Sequence, residues 1–313
     1  MVMVLKSYLA ALERTQVVLW ITLLAGVANV LANYAFIFGN WGAPELGVRG
    51  AAIASVTSHS VSLVAVVIYV LWKMPQHQMF VRLWRPDFEM LARVFRLGLP
   101  IGFTGLSEVG LFAASAVMMG WLGTVALAAH GIALQLASIT FMVHLGISNV
   151  ATIRAGNAYG RRDPAHLARG AITATVMSAL VAVLTIFVFV MWPEPLINLF
   201  MQRDEPARDQ ILVIGVGLLA MASLFQLVDG AQAVALGILR GVQDTTVPML
   251  LAGFSYWIVG MPASYLLGFV FDLEGVGVWL GLVFGLGVAA ILLNARFWGS
   301  VLKRLGPTDP AAA

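Results

Sequence analysis

Two acidic residues lie inside long apolar stretches of this sequence. Glu108 falls within the run Pro100–Gly120, and Asp229 falls within the run Ile211–Leu239. A carboxylate at the depth of a lipid bilayer is costly unless it is paired, protonated or exposed to water in a cavity, so it is rarely kept for packing alone. Of the 15 acidic residues in the chain, only these two fall inside the apolar spans. They are therefore the first candidates for chemistry.

The two acids are expected at a similar depth in the membrane. Glu108 follows Arg96 by twelve residues, and Asp229 precedes Arg240 by eleven. At about 1.5 Å per residue, both carboxylates lie roughly 17 Å from the membrane surface marked by the two arginines. They could share one cavity, in which a carboxylate pair would bind a proton or a small hard cation such as sodium. This is the physical basis of ion-coupled transport.

Other polar residues in the spans have plainer interpretations. Gln232 lies one turn after Asp229 on the same helical face, where it could orient the carboxylate or make an ordinary interhelical hydrogen bond. The alternative for each acid is a hydrogen bond to a neighbouring helix and no further role. The histidines at 59, 130 and 144 are expected to be packed or hydrogen-bonded, since none has metal-ligand spacing. No cofactor is predicted beyond the coupling ion.

Composition excludes several classes of protein. Hydrophobic residues make up 60% of the chain and charged residues 11%, with a mean hydropathy of +0.92, so an ordinary soluble domain is excluded. The pI near 9.4 does not indicate nucleic-acid binding, because the basic residues lie between apolar spans and form no patch with aromatic residues. A membrane-embedded enzyme is disfavoured, because no serine motif, paired histidines or metal spacing accompanies the two acids.

Windows of about 20 apolar residues predict eight transmembrane helices and an all-α polytopic membrane protein. Fifteen of the 18 basic residues lie on the side that holds both termini. That side is cytoplasmic by the positive-inside rule, which predicts a multi-pass protein of the inner (plasma) membrane. The predicted spans are 17–38, 50–72, 97–121, 126–152, 170–192, 210–239, 248–270 and 276–297.

An internal repeat predicts the domain organisation. Leu9–Val17 aligns with Leu239–Val247, and each is followed by an apolar span of similar length. The repeat predicts a twelve-helix architecture of which the first four helices are absent from this chain. The predicted domains are the last two helices of an N-terminal lobe over 1–72, a cytoplasmic interlobe loop over 73–96, a complete six-helix C-terminal lobe over 97–299, and a cytoplasmic tail over 300–313.

Several short motifs surround the two acids. They are Pro100-Ile101-Gly102, Gly105-Leu106-Ser107-Glu108, Ala129-His130, Gly156-Asn157, Asp229-Gly230-Ala231-Gln232, Leu239-Arg240-Gly241 and Gln243-Asp244-Thr245. Together they resemble the C-terminal lobe of multidrug and toxic compound extrusion (MATE) transporters of the NorM-like branch. One departure is Gly131, which follows His130 where this branch often has glutamine.

The resemblance implies a function and a site. It implies an inner-membrane antiporter of two six-helix lobes that expels small cationic drugs or metabolites in exchange for sodium or protons, with no obligate protein partner. The family's acid on the seventh helix falls on Glu108, and the acid on the tenth falls on Asp229, so a possible sodium site lies at this pair.

Two other functions stay open at this point. One is a transport-inactive truncated fragment. The other is a lipid-linked precursor flippase of the same superfamily, a class that typically lines its central cavity with several basic residues. Arg240 and Arg296 are the only near-membrane candidates for such a cavity here. The neighbouring Asp244 and Thr245 are predicted to cap the helix that begins before Pro248.

Overall fold

The computed structural model describes residues 2–77, 87–202 and 205–304. Over these ranges the chain forms helices and no strand. Eight of the described helices are long and apolar enough to cross a membrane, which confirms the predicted fold class of a multi-pass, all-α membrane protein. The chain divides into two compact units, Met1–Asp87 and Phe88–Ala313.

The described part of the first unit contains three α-helices. They are α1 (Val2–Ala11), α2 (Thr15–Phe38) and α3 (Val48–Lys73). Helices α2 and α3 match the first two predicted spans, whereas α1 was not predicted, because ten residues are too few to span a bilayer. The α2–α3 contact depends on Gly50, where a Cβ would collide with the backbone carbonyl of Phe36. Only glycine allows this approach.

Over residues 88–202 and 205–304, the second unit contains six long helices and one short one. They are α4 (Phe88–Trp121), α5 (Thr124–Gly160), α6 (Pro164–Met191), the short α7 (Pro193–Asn198), α8 (Arg208–Gly241), α9 (Thr246–Val270) and α10 (Glu274–Arg304).

Several of these helices extend beyond the ends of the predicted spans. Residues 88–96 of the predicted interlobe loop belong to α4, and residues 300–304 of the predicted tail belong to α10. Hydropathy windows detect only the apolar part of a helix, whereas charged turns such as the one with Arg93 and Arg96 continue it. The rest of the predicted loop from 78 to 86, and of the tail from 305 onward, lies outside the described residues.

Helix α8 is enclosed by its neighbours. Every residue from Gln232 to Leu239 is buried. Two hydroxyl groups of α5 donate hydrogen bonds to backbone carbonyls of α8: Ser148 Oγ to Ala233 O at 2.6 Å, and Thr152 Oγ1 to Gly237 O at 2.8 Å. Such close contact between small residues is typical of helices that pack within a membrane. It places the polar residues of α8 deep inside the second unit.

Candidate functional site

The structure brings the predicted site residues together on two helices. Glu108 on α4 is half-buried, whereas Asp229 and Gln232 on α8 are buried. The Gln232 amide Nε2 donates a hydrogen bond to Glu108 Oε1 at 3.2 Å. Gln232 could either orient Asp229 or form an interhelical hydrogen bond. The structure supports the interhelical hydrogen bond, which Gln232 donates to the acid on α4.

The charged groups near this bond interact electrostatically. Glu108 interacts with Asp229 and with Arg240, and Tyr256 interacts with all three. In the low dielectric of a membrane protein interior such interactions are much stronger than in water. We refer to Glu108, Asp229, Gln232, Arg240 and Tyr256 as the carboxylate cluster.

Three buried oxygen atoms of the carboxylate cluster have no hydrogen-bond partner among the described residues. They are Asp229 Oδ1, Gln232 Oε1 and the Tyr256 hydroxyl. Buried polar atoms in proteins are nearly always paired, and an unpaired one is costly. A proton on the carboxylate, a water molecule or a hard cation that prefers oxygen ligands would each satisfy such atoms.

The donor set limits which ion fits. The described residues contain no group of three or more acidic or histidine side chains that could hold a metal ion. A sodium ion would therefore need neutral oxygens, such as those of Gln232 and Tyr256, in addition to the carboxylates. Hard monovalent and divalent cations accept such mixed oxygen ligands, and a proton needs only one carboxylate.

Tyr256 and Arg240 were missed as site residues by sequence reasoning. Tyr256 lies in the middle of α9, within the π-helical stretch Ser255–Gly260, and its side chain is fully buried. A tyrosine in the middle of an apolar span was available as a signal, because tyrosine usually lies at the membrane surface. π-Helical turns also occur often at functional sites. Arg240 was considered as a boundary marker and as a candidate for a flippase cavity, yet its half-buried side chain interacts with Glu108.

Each of the three histidines is packed or hydrogen-bonded, as predicted. His130 Nδ1 accepts a hydrogen bond from Trp279 Nε1 at 3.0 Å, which fixes that nitrogen as unprotonated because the indole can only donate. His144 Nδ1 lies 2.7 Å from Ser178 Oγ. His59 is exposed, and its ring contacts the backbone of its own helix.

The predicted cap at the start of α9 is wrong. The Thr245 side chain makes no capping hydrogen bond. The Asp244 carboxylate instead accepts a hydrogen bond from Arg296 Nε at 2.9 Å. A hydrogen bond between two charged groups is roughly twice as strong as a neutral one, so the arginine is the preferred partner.

Comparison with known proteins identifies the relatives of the chain. A family model described as MatE matches residues 100–266. The probable multidrug resistance protein NorM of Rhizobium meliloti is 42% identical over 313 residues, which cover 99% of this chain and 67% of the relative. The corresponding NorM protein of Agrobacterium fabrum is 42% identical over 296 residues, which cover 94% of this chain and 64% of that relative. The chain thus spans about two thirds of the length of these curated relatives.

Solved structures share the fold. The crystal structure of the eukaryotic MATE transporter AtDTX14 matches with a TM-score of 0.84 at 19% identity, over 96% of this chain and 66% of that one. An outward-facing multidrug resistance MATE family transporter of the MOP superfamily matches with a TM-score of 0.75 at 20% identity. The match covers 90% of this chain and 62% of that transporter.

Proposed function

Because the chain belongs to the MatE family, we propose that it functions in secondary active efflux, by antiport of small organic cations against sodium or protons. The observation that carries the proposal is a pair of carboxylates on two membrane helices, Glu108 and Asp229, which interact electrostatically, with Gln232 donating a hydrogen bond to Glu108. The relatives that share most of this sequence are named multidrug resistance proteins, which supports a drug-like substrate.

The charges of the carboxylate cluster suggest how exchange would occur. Glu108 and Asp229 carry two negative charges when both are ionised, and Arg240 carries one positive charge, so one negative charge remains. A single proton or sodium ion neutralises that charge, which removes most of the cost of burial. An organic cation can compete for the same negative charge once the ion leaves. Binding of either partner thus excludes the other, which is the requirement for antiport.

The coupling ion can be identified by dye transport in everted membrane vesicles that contain this chain. Vesicles are loaded with sodium at equal pH on both sides, or with an acidic interior and no sodium. We expect one of the two gradients to drive accumulation of an ethidium-like cation, and that gradient identifies the ion. If neither gradient gives accumulation above vesicles without the chain, the antiport proposal is contradicted and the transport-inactive fragment is the better description.

Removal of the Tyr256 hydroxyl should separate ion binding from stability. In Tyr256→Phe, the thermal midpoint of the purified protein should be unchanged or higher, because the removed buried hydroxyl has no hydrogen-bond partner among the described residues. The initial rate of dye transport should fall about tenfold, as expected when an oxygen ligand worth about 1.4 kcal/mol is lost. Tyr265→Phe, in an exposed position on the same helix, is the matched control. An unchanged rate in Tyr256→Phe would remove Tyr256 from the ion site.

The carboxylates near the two arginines favour efflux over a lipid-linked precursor flippase. A flippase needs free basic residues to bind a phosphate-bearing substrate. Arg296 is paired with Asp244 at 2.9 Å, and the charge of Arg240 is partly balanced by electrostatic interaction with Glu108. Neither arginine thus presents a fully unbalanced positive charge to a phosphate group.

We further propose that the protein lies in the inner (plasma) membrane with both termini in the cytoplasm. The strong bias of basic residues toward the terminal side supports this orientation. We also infer that the unit Phe88–Ala313 corresponds to the six-helix C-terminal lobe predicted over 97–299. The unit Met1–Asp87 would then be the end of the N-terminal lobe predicted over 1–72.

A further inference from the structure

A cavity of about 690 Å³ lies between α5 and α6, away from the carboxylate cluster. Its size is typical of sites that bind small molecules. Most of its lining is apolar, and Arg154, His166 and Arg169 lie at one end. That end is where the two helices meet their connecting turn, on the membrane side that carries most of the basic residues.

The basic end of the cavity carries positive charge that no carboxylate balances. Arg154 and Arg169 are exposed. Within the described part of the chain neither forms an ion pair, since the salt bridge found there joins Arg296 and Asp244. Arg154 Nη2 donates to His166 Nε2 at 3.2 Å. The nearby Asp163 is occupied as the N-cap of α6, where it accepts a hydrogen bond from the His166 backbone at 2.8 Å. The arginines are therefore available to an external anion.

The rest of the cavity is suited to a hydrocarbon chain. Gly146 and Gly170 face open space, since a Cβ on either would have no atom within 4 Å. Val150 and Met177 lie along the same groove with about half of their surfaces exposed. From Val143 to Arg154 the groove runs about 16 Å along α5, which is close to half the thickness of the hydrocarbon core of a bilayer. The groove therefore has about the length of the hydrocarbon region of one leaflet.

We propose that this groove binds an anionic phospholipid of the cytoplasmic leaflet. The lipid phosphate would contact Arg154 and Arg169, and one acyl chain would lie along the apolar walls between α5 and α6. Basic pockets between membrane helices on the cytoplasmic side bind anionic head groups for the same reason, because charge attraction adds to burial of the chain. The site is separate from the carboxylate cluster and does not depend on transport.

The test measures lipid binding to the purified full chain in detergent by native mass spectrometry. Phosphatidylglycerol should bind at least tenfold more tightly than phosphatidylcholine, which has the same chains but no net charge. Inorganic phosphate at millimolar concentration should not displace it, because phosphate gains nothing from the apolar groove. Displacement by phosphate would identify a site for free anions and overturn the lipid proposal.

Variants then separate the groove from general surface charge. R154Q/R169Q should weaken phosphatidylglycerol binding about 30-fold, since each basic residue near the surface contributes about fivefold. R161Q/R162Q makes the same charge change in the adjoining turn, outside the cavity lining, and should bind almost normally. Gly170→Leu fills the groove and leaves both arginines in place, so it should also weaken binding. Equal losses in both arginine pairs, or normal binding in Gly170→Leu, would overturn the proposal.

Discussion

Glu108→Gln and Asp229→Asn are each expected to reduce dye transport to the level of vesicles without the protein, a loss of at least about 100-fold. Each substitution keeps the shape of the side chain and removes its negative charge. An amide cannot take up and release a proton at physiological pH, and it binds a cation far more weakly than a carboxylate does. The initial rate of gradient-driven dye accumulation, at matched protein levels, measures the effect.

The control for this prediction is an acid outside the membrane helices. Glu194 is exposed at the start of α7, so Glu194→Gln changes the net charge equally and should transport normally. The thermal midpoint of Asp229→Asn should equal or exceed that of the original protein, because a buried charge is removed whose Oδ1 has no hydrogen-bond partner among the described residues. Transport at the original rate in both Glu108→Gln and Asp229→Asn would reject the roles assigned to the two acids.

The two variants should also differ from one another in a way that the structure explains. Glu108 accepts the hydrogen bond of Gln232 and interacts with Arg240, whereas Asp229 is more deeply buried and its Oδ1 has no partner among the described residues. Loss of the Glu108 charge weakens the hydrogen bond from Gln232 and removes negative charge near Arg240, whereas Asp229→Asn removes a charge that has no such favourable neighbours. We therefore expect Asp229→Asn to be the more stable variant.

The membrane spans and the two intramembrane acids could be predicted because each is recognised from the local sequence alone. A run of about 20 apolar residues identifies a span, and a carboxylate inside that run conflicts with its surroundings, whatever the fold. The ends of the spans were placed wrongly, since charged turns such as Phe88–Arg96 carry no hydropathy signal.

The partners within the carboxylate cluster could not be predicted, because they depend on how helices pack. Gln232 bonds to Glu108, which lies 124 residues away, and Arg296 pairs with Asp244, which lies 52 residues away. Tyr256 interacts electrostatically with the acids from a third helix. No spacing rule within a single helix relates such residues, so their contacts appear only when α4, α8, α9 and α10 are placed in three dimensions.

The contact between α9 and α10 should be very sensitive to a single added methyl group. At Gly281 a Cβ would collide with the backbone of Ser264, and at Gly285 it would lie 2.7 Å from the Cα of Gly260. Ser264 Oγ also donates to the backbone carbonyl of Val278 at 2.9 Å, so the two helices cannot separate without loss of a buried hydrogen bond. The same helix α9 carries Tyr256, and its position therefore depends on this contact.

Gly281→Ala is accordingly expected to destabilise the protein by about 3 kcal/mol and to lower its thermal midpoint by about 5 to 10 °C. The matched control is Gly287→Ala on the same helix, where the nearest atom to a Cβ would be Val228 Cγ1 at an ordinary 3.7 Å. This control should keep or slightly raise the midpoint, because alanine favours a helix over glycine by about 1 kcal/mol. Thermal unfolding of the purified variants in one detergent provides the measurement. Equal midpoints for the two variants would show that α9 and α10 do not approach as closely as the structure describes.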